Sequence, residues 1–194
     1  MSPVAHDLRK PPTLPQRRRE ALADEAKLVS RAASGDATAF AMLVDRYGNS
    51  LIGICLASTG RRCDAEEVAQ DVLLSAWRAL PRFRAQSSFS TWLFALARNA
   101  CIDHARRAAS RPKPAHADAL AELASPTSDP HARITARAAL AACATLSKPK
   151  REALILRDLY GLAYEEIASV QEVPIGTVRS RIADARKQIA EAIS

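Results

Sequence analysis

Residues 174–189 read PIGTVRSRIADARKQI, and this stretch decides how the C-terminal part of the chain folds. Val178 and Ile182 lie four residues apart, as on one buried face of a helix. The start of a helix carries a partial positive charge and favours acidic side chains, yet Arg179 and Arg181 lie in its first two turns. This basic helix start indicates a negatively charged partner.

The preceding segment, residues 161–173, predicts a short helix that begins after a glycine break and leads into this one through a tight turn. Apolar residues of both helices are expected to form the small core between them: Ile167, Ala168, Val170, Val173, Val178 and Ile182. This arrangement favours a helix-turn-helix, whose second helix enters the major groove of DNA.

In that geometry, phosphates and base edges supply the negative charge that the second helix lacks. Arg179 and Arg181 are expected to point outward, where arginine grips phosphate or reads guanine. Thr177 and Ser180 add hydroxyl groups for hydrogen bonds to DNA. The alternative is an amphipathic helix with a solvated basic face, because helix-turn-helix patterns are only moderately specific.

The composition favours a polyanionic partner, either nucleic acid or an acidic membrane surface. The 194-residue chain has 28 Lys and Arg against 21 Asp and Glu, which gives a net charge of +7. Its hydrophobic content of 48% is sufficient for one medium core or two small ones. No apolar run approaches the roughly 18 residues that span a bilayer, and no export signal is visible, so we expect a cytoplasmic protein.

The cysteines argue against metal chemistry. They lie far apart, with no C-x-x-C pair and no histidines at zinc spacing. We therefore expect no metal site and no cofactor, and we interpret most of these residues as small buried apolar side chains. They are Cys55, Cys63, Cys101 and Cys143.

Breaks in the helical spacing divide the chain into four segments. Residues 1–24 contain four prolines and three consecutive arginines, and are expected to be disordered. Residues 25–110 predict a helical domain, residues 111–130 a flexible linker, and residues 131–194 a second helical domain. Because no segment alternates like a β-strand, the predicted fold class is all-α, with two small helical domains joined by a flexible linker.

Arginine and aromatic residues are interleaved between residues 78 and 111, where Asp103 is the only acid. This combination suits single-stranded nucleic acid, whose bases stack on aromatic rings. Most of the rings recur at helical spacing, which favours burial in the core. Phe83 differs, because it lies between two arginines in the loop PRFRAQSS, residues 81–88, where it can meet an unstacked base.

The helix before this loop presents an acidic, partly apolar stripe. Asp64 and Glu67 predict a capping box at its start. Val68 and Val72 form its core row, and the opposite row consists of Glu67, Gln70, Asp71 and Leu74. An acidic stripe on a basic protein suits protein docking, although most acidic faces are simply solvated.

Two long segments resemble, in the right order, regions two and four of the sigma factors of bacterial RNA polymerase. They read DAEEVAQDVLLSAWRALPRFRAQSSFSTWLFALARNACIDHARR, residues 64–107, and LSKPKREALILRDLYGLAYEEIASVQEVPIGTVRSRIADARKQI, residues 146–189. The resemblance is to the short extracytoplasmic-function (ECF) group of the sigma-70 family, which retains only these two regions. It implies a non-enzymatic subunit that binds core polymerase, recognises minus-thirty-five and minus-ten promoter elements and promotes DNA melting.

The resemblance also implies three groups of binding residues. Docking on core polymerase is implied for Glu67, Gln70, Asp71 and Leu74. Minus-ten contact is implied for Arg82, Phe83, Arg84, Ser87, Ser88, Asn99, Arg106 and Arg107. Minus-thirty-five contact is implied for Thr177, Arg179, Ser180, Arg181, Ala183 and Arg186.

The implied partners are core RNA polymerase, promoter DNA and an anti-sigma factor, without membrane insertion. On the polymerase, the implied contacts are the clamp helices of the beta-prime subunit and the beta flap. Two positions depart from the family pattern. Ala163 stands where Ser or Thr often caps a helix, which weakens that helix by about 1 kcal/mol unless another group caps it. Ala183 replaces a larger side chain, so base preference cannot be copied from relatives.

Two other classes of function stay open on the residues alone. A DNA-binding regulator would use the helix-turn-helix without polymerase, but the N-terminal half has no phospho-acceptor pattern or glycine-rich ligand loop. A metal-dependent nuclease would need Asp103 and His104, which face different directions on a helix and have no further ligand nearby.

Overall fold

The computed structural model describes residues 14–108 and 142–193, and these residues are almost entirely helical. The N-terminal domain contains α1 (Leu14–Ala33), α2 (Ala37–Thr59), α3 (Arg62–Ala79), a 3-10 turn (Leu80–Arg82) and α4 (Phe89–Ala108). The C-terminal domain contains α5 (Lys148–Leu154), a π-helical turn (Ile155–Leu159), α6 (Tyr164–Gln171) and α7 (Ile175–Ile193). The predicted all-α fold is confirmed: no strand occurs in the two described ranges.

Helix α2 is the centre of the N-terminal domain, because α1, α3 and α4 all pack against it. Leu43 and Leu51 of α2 are fully buried, as are Val72 of α3 and Leu93 and Phe94 of α4. Burial of each such side chain contributes about 1.5–3 kcal/mol to the free energy of folding. The apolar spacing in the sequence predicts this core.

Helix α2 has a well-defined cap at each end. Asp36 accepts a hydrogen bond from the Ala39 backbone N–H at 3.0 Å, and this bond, with the Arg31 guanidinium, lowers the pKa of Asp36. Gly60 ends the helix in the left-handed conformation, with φ 74°. The two caps fix where the chain enters and leaves the core.

Two expectations about helix starts are wrong. The disordered tail expected over residues 1–24 is helical from Leu14 onward, because the residues after Pro15 are mostly strong helix formers; residues 1–13 lie outside the described residues. Asp64 does not cap α3, because the helix begins at Arg62 and Asp64 lies in its first turn. Oδ2 of Asp64 is 3.6 Å from Nη1 of Arg61. The expected linker, residues 111–130, also lies outside the described ranges.

The C-terminal domain contains the predicted helix-turn-helix, formed by α6 and α7. Glu172 turns the chain between them in the left-handed conformation, with φ 53°. Ile167 of α6 and Val178 and Ile182 of α7 are fully buried and hold the two helices together. Helix α5 packs along α7 and completes the small core.

The two domains contact each other directly. Helix α5 lies against α2, and α6 lies against α4, so the buried apolar residues of both domains form one continuous cluster. The two expected helical domains are therefore present, and in this structure they pack against each other.

Candidate nucleic-acid and protein interfaces

Helix α7 leaves one of its faces exposed. Arg179, Ser180 and Ala183 are exposed on this face, while Val178 and Ile182 point into the core. Thr177 is half-buried at the start of the helix, and its carbonyl accepts a hydrogen bond from the Ser180 hydroxyl at 3.0 Å. We call Arg179, Ser180 and Ala183 the α7 face; its cationic and hydroxyl groups suit DNA recognition.

Arg181 does not share the outward direction predicted for it. It is half-buried, and its Nη1 donates to Oε1 of Gln171 at 2.8 Å. Gln171 is only 2% exposed, and its Nε2 donates to the Pro149 carbonyl at 3.0 Å. The hydrogen bonds of Gln171 and Arg181 therefore link α5, α6 and α7. Nη1 of Arg181 helps to hold α7 in position.

Sequence reasoning missed Gln171. Its position at the end of a predicted helix gives no signal that the amide is buried. The only available hint was a polar residue next to the apolar Val170, where the turn must close. A buried amide needs partners for its hydrogen-bonding groups, which here are a carbonyl and a guanidinium.

Arg186 is the remaining basic residue predicted for the upstream DNA contact. Its guanidinium forms two hydrogen bonds to Asp158, at 2.6 and 3.2 Å, and this acid raises the pKa of Arg186. Lys150 forms a similar bridge to Asp184 at 3.2 Å. The first pair joins α7 to the π-helical turn, and the second joins α7 to α5. The charge of Arg186 is therefore partly neutralised by Asp158 in this structure.

The missing cap at Ala163 is compensated by Glu166. Ala163 has no hydrogen-bonding side chain, but Oε2 of Glu166 accepts a hydrogen bond from the Ala163 backbone N–H at 2.9 Å. This is half of a capping box. The expected weakening of this helix is therefore offset in part.

The loop after α3 carries most of the predicted downstream contacts. Arg82, Arg84 and Ser87 are exposed there, and Ala85 adopts the left-handed conformation with φ 51°. This backbone geometry is unfavourable for alanine and is characteristic of tight, functionally constrained turns. The side chains of Arg82, Arg84 and Ser87 are therefore accessible to a ligand.

Phe83 lies in an aromatic cluster and is not fully free. Its ring is 5.0 Å from that of Trp92 and 6.3 Å from that of Phe89. Phe89 is buried and Trp92 half-buried, as the helical spacing predicts for most of these rings. Phe83 is itself half-buried, so part of its side chain is accessible to solvent beside these rings.

Helix α4 extends this surface away from the loop. Asn99, Arg106 and Arg107 are exposed on it, and Asp103 pairs with Arg106 at 3.4 Å. At 1.5 Å of rise per residue, the surface runs about 25 Å along α4. We call this surface, together with the loop at residues 82–88, the minus-ten edge, after the contact that the sequence analysis predicts for it.

The predicted docking stripe on α3 is exposed as a unit. Val68 and Val72 are buried on the opposite side, so the helical register is as predicted. Leu74 is 56% exposed and places an apolar group among the polar members of the stripe. The four members are Glu67, Gln70, Asp71 and Leu74. Next to the stripe, a groove of about 440 Å³ between α2 and α3 includes Gln70 in its lining.

The cysteines form no metal centre among the described residues, where no three potential ligands cluster. Cys55 and Cys101 are buried and their thiols hydrogen-bond to each other; this bond and burial raise the pKa of Cys55. Cys63 is exposed on α3 and Cys143 is half-buried.

Comparisons with known proteins agree with this geometry. Residues 43–111 match the family model of sigma-70 region 2, and residues 136–189 match that of sigma-70 region 4. The RNA polymerase sigma-H factor of Pseudomonas aeruginosa is 36% identical over 182 residues, which cover 87% of this chain and 93% of the relative. The ECF RNA polymerase sigma-E factor of Haemophilus influenzae is 34% identical, covering 90% of this chain and 97% of the relative. The chain belongs to the ECF group of the sigma-70 family.

Solved structures of sigma factors share the fold. CnrH, in complex with the cytosolic domain of CnrY, superposes with a TM-score of 0.65 at 26% identity, over 86% of this sigma factor and 95% of CnrH. RpoE of Bartonella quintana, in complex with the anti-sigma factor NepR, gives a TM-score of 0.63 at 25% identity, over 79% and 96% of the two chains.

The family fixes the function at the level of the whole chain. This protein is a sigma factor that binds core RNA polymerase and recognises promoter DNA for transcription initiation. In the part of the chain that the structure describes, no helix is long and apolar enough to cross a membrane.

Proposed function

We propose that the two domains divide promoter recognition between them. The C-terminal domain binds the minus-thirty-five element as duplex DNA through the α7 face, and the minus-ten edge of the N-terminal domain holds bases extruded from the minus-ten element. The observation that carries the proposal is the exposure of Arg179, Ser180 and Ala183 on a helix fixed by Gln171 and Arg181. A rigid helix with an exposed basic face fits the major groove.

At the minus-ten edge, binding energy drives opening of the DNA. Each extruded base costs a few kcal/mol of unstacking, which contacts with the captured base offset. The partly accessible ring of Phe83 supplies a contact for an unstacked base, while Arg82 and Arg84 attract the backbone. The chain supplies no catalytic group in this scheme, since nucleotide addition belongs to the polymerase.

The docking stripe on α3 binds core polymerase, with Leu74 as an apolar contact among acidic and amide groups. The Bartonella RpoE is seen in complex with the anti-sigma factor NepR, and CnrH with the cytosolic domain of CnrY. By extension, we infer an anti-sigma factor as a partner of the present chain. With polymerase as its partner, the protein acts in the cytoplasm. Residues 25–110 and 131–194 are the proposed functional domains.

The docking stripe is tested by reversing one of its charges. Asp71→Arg should weaken binding to core polymerase about tenfold or more, because it places a cation in an interface built for an acid. Glu191→Arg is the matched control, since Glu191 is an exposed acid on α7 outside the stripe and should leave binding unchanged. Titration of labelled core polymerase measures both; equal affinity of Asp71→Arg and the unaltered chain would move the docking surface elsewhere.

A further inference from the structure

We propose that Asp184 of α7 reads a cytosine in the minus-thirty-five element, where its carboxylate accepts a hydrogen bond from the cytosine N4 amino group in the major groove. The inference rests on the proposed function, in which duplex DNA lies on the α7 face, and it adds a base preference to that function. It is carried by the register of Asp184 on α7, the small side chain beside it, the chemistry of the base edges and the position of Lys150.

The helical register places Asp184 beside the α7 face. Asp184 follows Ser180 by four residues and Ala183 by one, so it lies within about 40° of Ser180 around the helix axis. Val178 and Ile182 are buried on the other side of α7, and the side chain of Asp184 is 57% exposed. A duplex that contacts Ser180 therefore also meets Asp184.

The side chain next to Asp184 cannot read a base by hydrogen bonding. Ala183 is exposed, but its side chain is a methyl group without donor or acceptor. Asp184 is therefore the first exposed side chain after Ser180 that can form a hydrogen bond to a base edge. It is also the only acid among residues 175–190, so it does not belong to a general acidic surface.

The base edges of DNA differ in what they offer to a carboxylate. An ionised carboxylate only accepts hydrogen bonds, and the phosphates repel it. In the major groove, guanine presents two acceptors and thymine an acceptor and a methyl group, whereas cytosine presents the N4 donor. Adenine has a donor at N6, but its N7 acceptor lies next to that donor. Cytosine is therefore the base that Asp184 accommodates best.

Lys150 of α5 counters the charge of Asp184. Its Nζ lies 3.2 Å from Oδ2 of Asp184, and its side chain is 24% exposed. The cation reduces the repulsion between Asp184 and the DNA phosphates. A carboxylate has two oxygens, so it keeps acceptor sites for a base while it pairs with Lys150. Because the acid of this pair is more than half exposed, the pair adds little to stability, and stability alone does not explain the acid.

The separation of Asp184 from Arg179 predicts the spacing of the bases that they read. Five residues of α-helix rise about 7.5 Å, which corresponds to about two base pairs at roughly 3.4 Å each. Arginine pairs with guanine in the major groove. We therefore expect a cytosine about two base pairs from the guanine read by Arg179 when α7 lies along the groove.

Substitution of Asp184 tests which base the chain selects. Asp184→Asn keeps the shape of the side chain but adds an amide donor, and asparagine pairs with N6 and N7 of adenine. The full chain is bound to core polymerase and mixed with promoters randomised at the minus-thirty-five element, and the bound promoters are sequenced. The unaltered chain should favour cytosine about tenfold at one base pair. Asp184→Asn should change the preference at that base pair to adenine, and Asp184→Ala should abolish it.

Two control variants separate base reading from net charge and from helix position. Glu191→Gln removes an exposed acid of α7 outside the α7 face and should keep the cytosine preference. Lys150→Met breaks the ion pair but leaves Asp184 in place, so it should lower the affinity for all sequences and keep the preference. Equal loss of the preference in Lys150→Met and Asp184→Ala would assign the effect to the ion pair and overturn the proposal.

The same selection distinguishes failure of this inference from failure of the proposed function. An unchanged base preference in Asp184→Asn, or a uniform rise in its affinity for every sequence, overturns base reading by Asp184 and leaves the proposed function intact. If the unaltered chain shows no base preference at the minus-thirty-five element, the proposed function itself is overturned. Circular dichroism verifies that each variant stays helical.

Discussion

The α7 face and the minus-ten edge are the two surfaces that we propose for DNA, and they differ in how other side chains hold them. On α7, Arg179 and Ser180 are exposed, while buried polar groups such as Gln171 hold the helix from behind. At the minus-ten edge, Ser88 is bonded to Glu166 and Phe83 rests against Trp92. One surface is exposed and rigidly supported; the other is partly occupied by the protein's own side chains.

The interactions that support a binding surface are therefore separate from those that form the surface itself. Duplex DNA requires a helix held at a fixed angle, so the C-terminal domain uses buried hydrogen bonds to position α7. Extruded bases require groups that can change partners, because the DNA must first be opened. Substitutions in the supporting residues should therefore alter stability, while those on the faces should alter DNA selection.

The largest effect on the supporting side is expected for Arg151→Met. The Arg151 guanidinium donates to carbonyls of Cys143, Ala144, Leu146 and Ala57 at 2.8–3.0 Å. Its loss leaves these carbonyls without their charged donor and should lower the free energy of unfolding by about 3 kcal/mol. Denaturant unfolding measures it. Arg179→Met, which removes an exposed arginine, should change stability by less than about 0.5 kcal/mol; similar losses in both variants would break the distinction between support and face.

A smaller loss is expected for Gln171→Leu, which keeps the approximate volume of the buried side chain. The Pro149 carbonyl and the Arg181 guanidinium each lose a partner, so stability should fall by about 1–2 kcal/mol. A double-mutant cycle with Arg181→Met, followed by denaturant unfolding, isolates the coupling between the two side chains. Strict additivity would show that the bond between Gln171 and Arg181 does not fix α7.

The smallest effect is a gain from Ala163→Ser. Ala163 has extended backbone angles, φ −68° and ψ 156°, which suit a helix cap, and serine would add the missing side-chain acceptor. We expect an increase in stability of about 0.5–1 kcal/mol by thermal unfolding. Ala163→Val, which adds no acceptor, should show no such increase. No gain in Ala163→Ser would mean that Glu166 already satisfies the start of α6, and an equal gain in both variants would mean that the serine hydroxyl does not act as a cap.

Much of the fold could be predicted from periodic spacing. The burial of Val68 and Val72 and the exposure of Asp71 and Leu74 follow from 3.6 residues per turn, and so does the core of the helix-turn-helix. The start of α1 was missed because the four prolines and the arginine run of residues 1–24 obscure a segment of good helix formers. The start of α3 was missed because a plausible cap at Asp64 lies two residues inside the helix.

The candidate sites were harder to predict wherever a side chain bonds to a distant residue. The inward turn of Arg181 depends on Gln171, ten positions earlier and across a turn. The link between Ser88 and Glu166 joins residues 78 positions apart. Helical spacing reports which face a residue occupies, but it carries no information about which partner from another helix meets that face.

Selection from a promoter library tests the division of promoter recognition between the two domains. The library is randomised at both promoter elements and transcribed by core polymerase loaded with either the unaltered chain or Arg179→Ala. The unaltered chain should enrich particular bases at both elements, while Arg179→Ala should lose about 1–3 kcal/mol of discrimination at minus thirty-five and keep its selection at minus ten. Unchanged selection at minus thirty-five, or joint loss at both elements, would contradict the division of promoter recognition between the two domains.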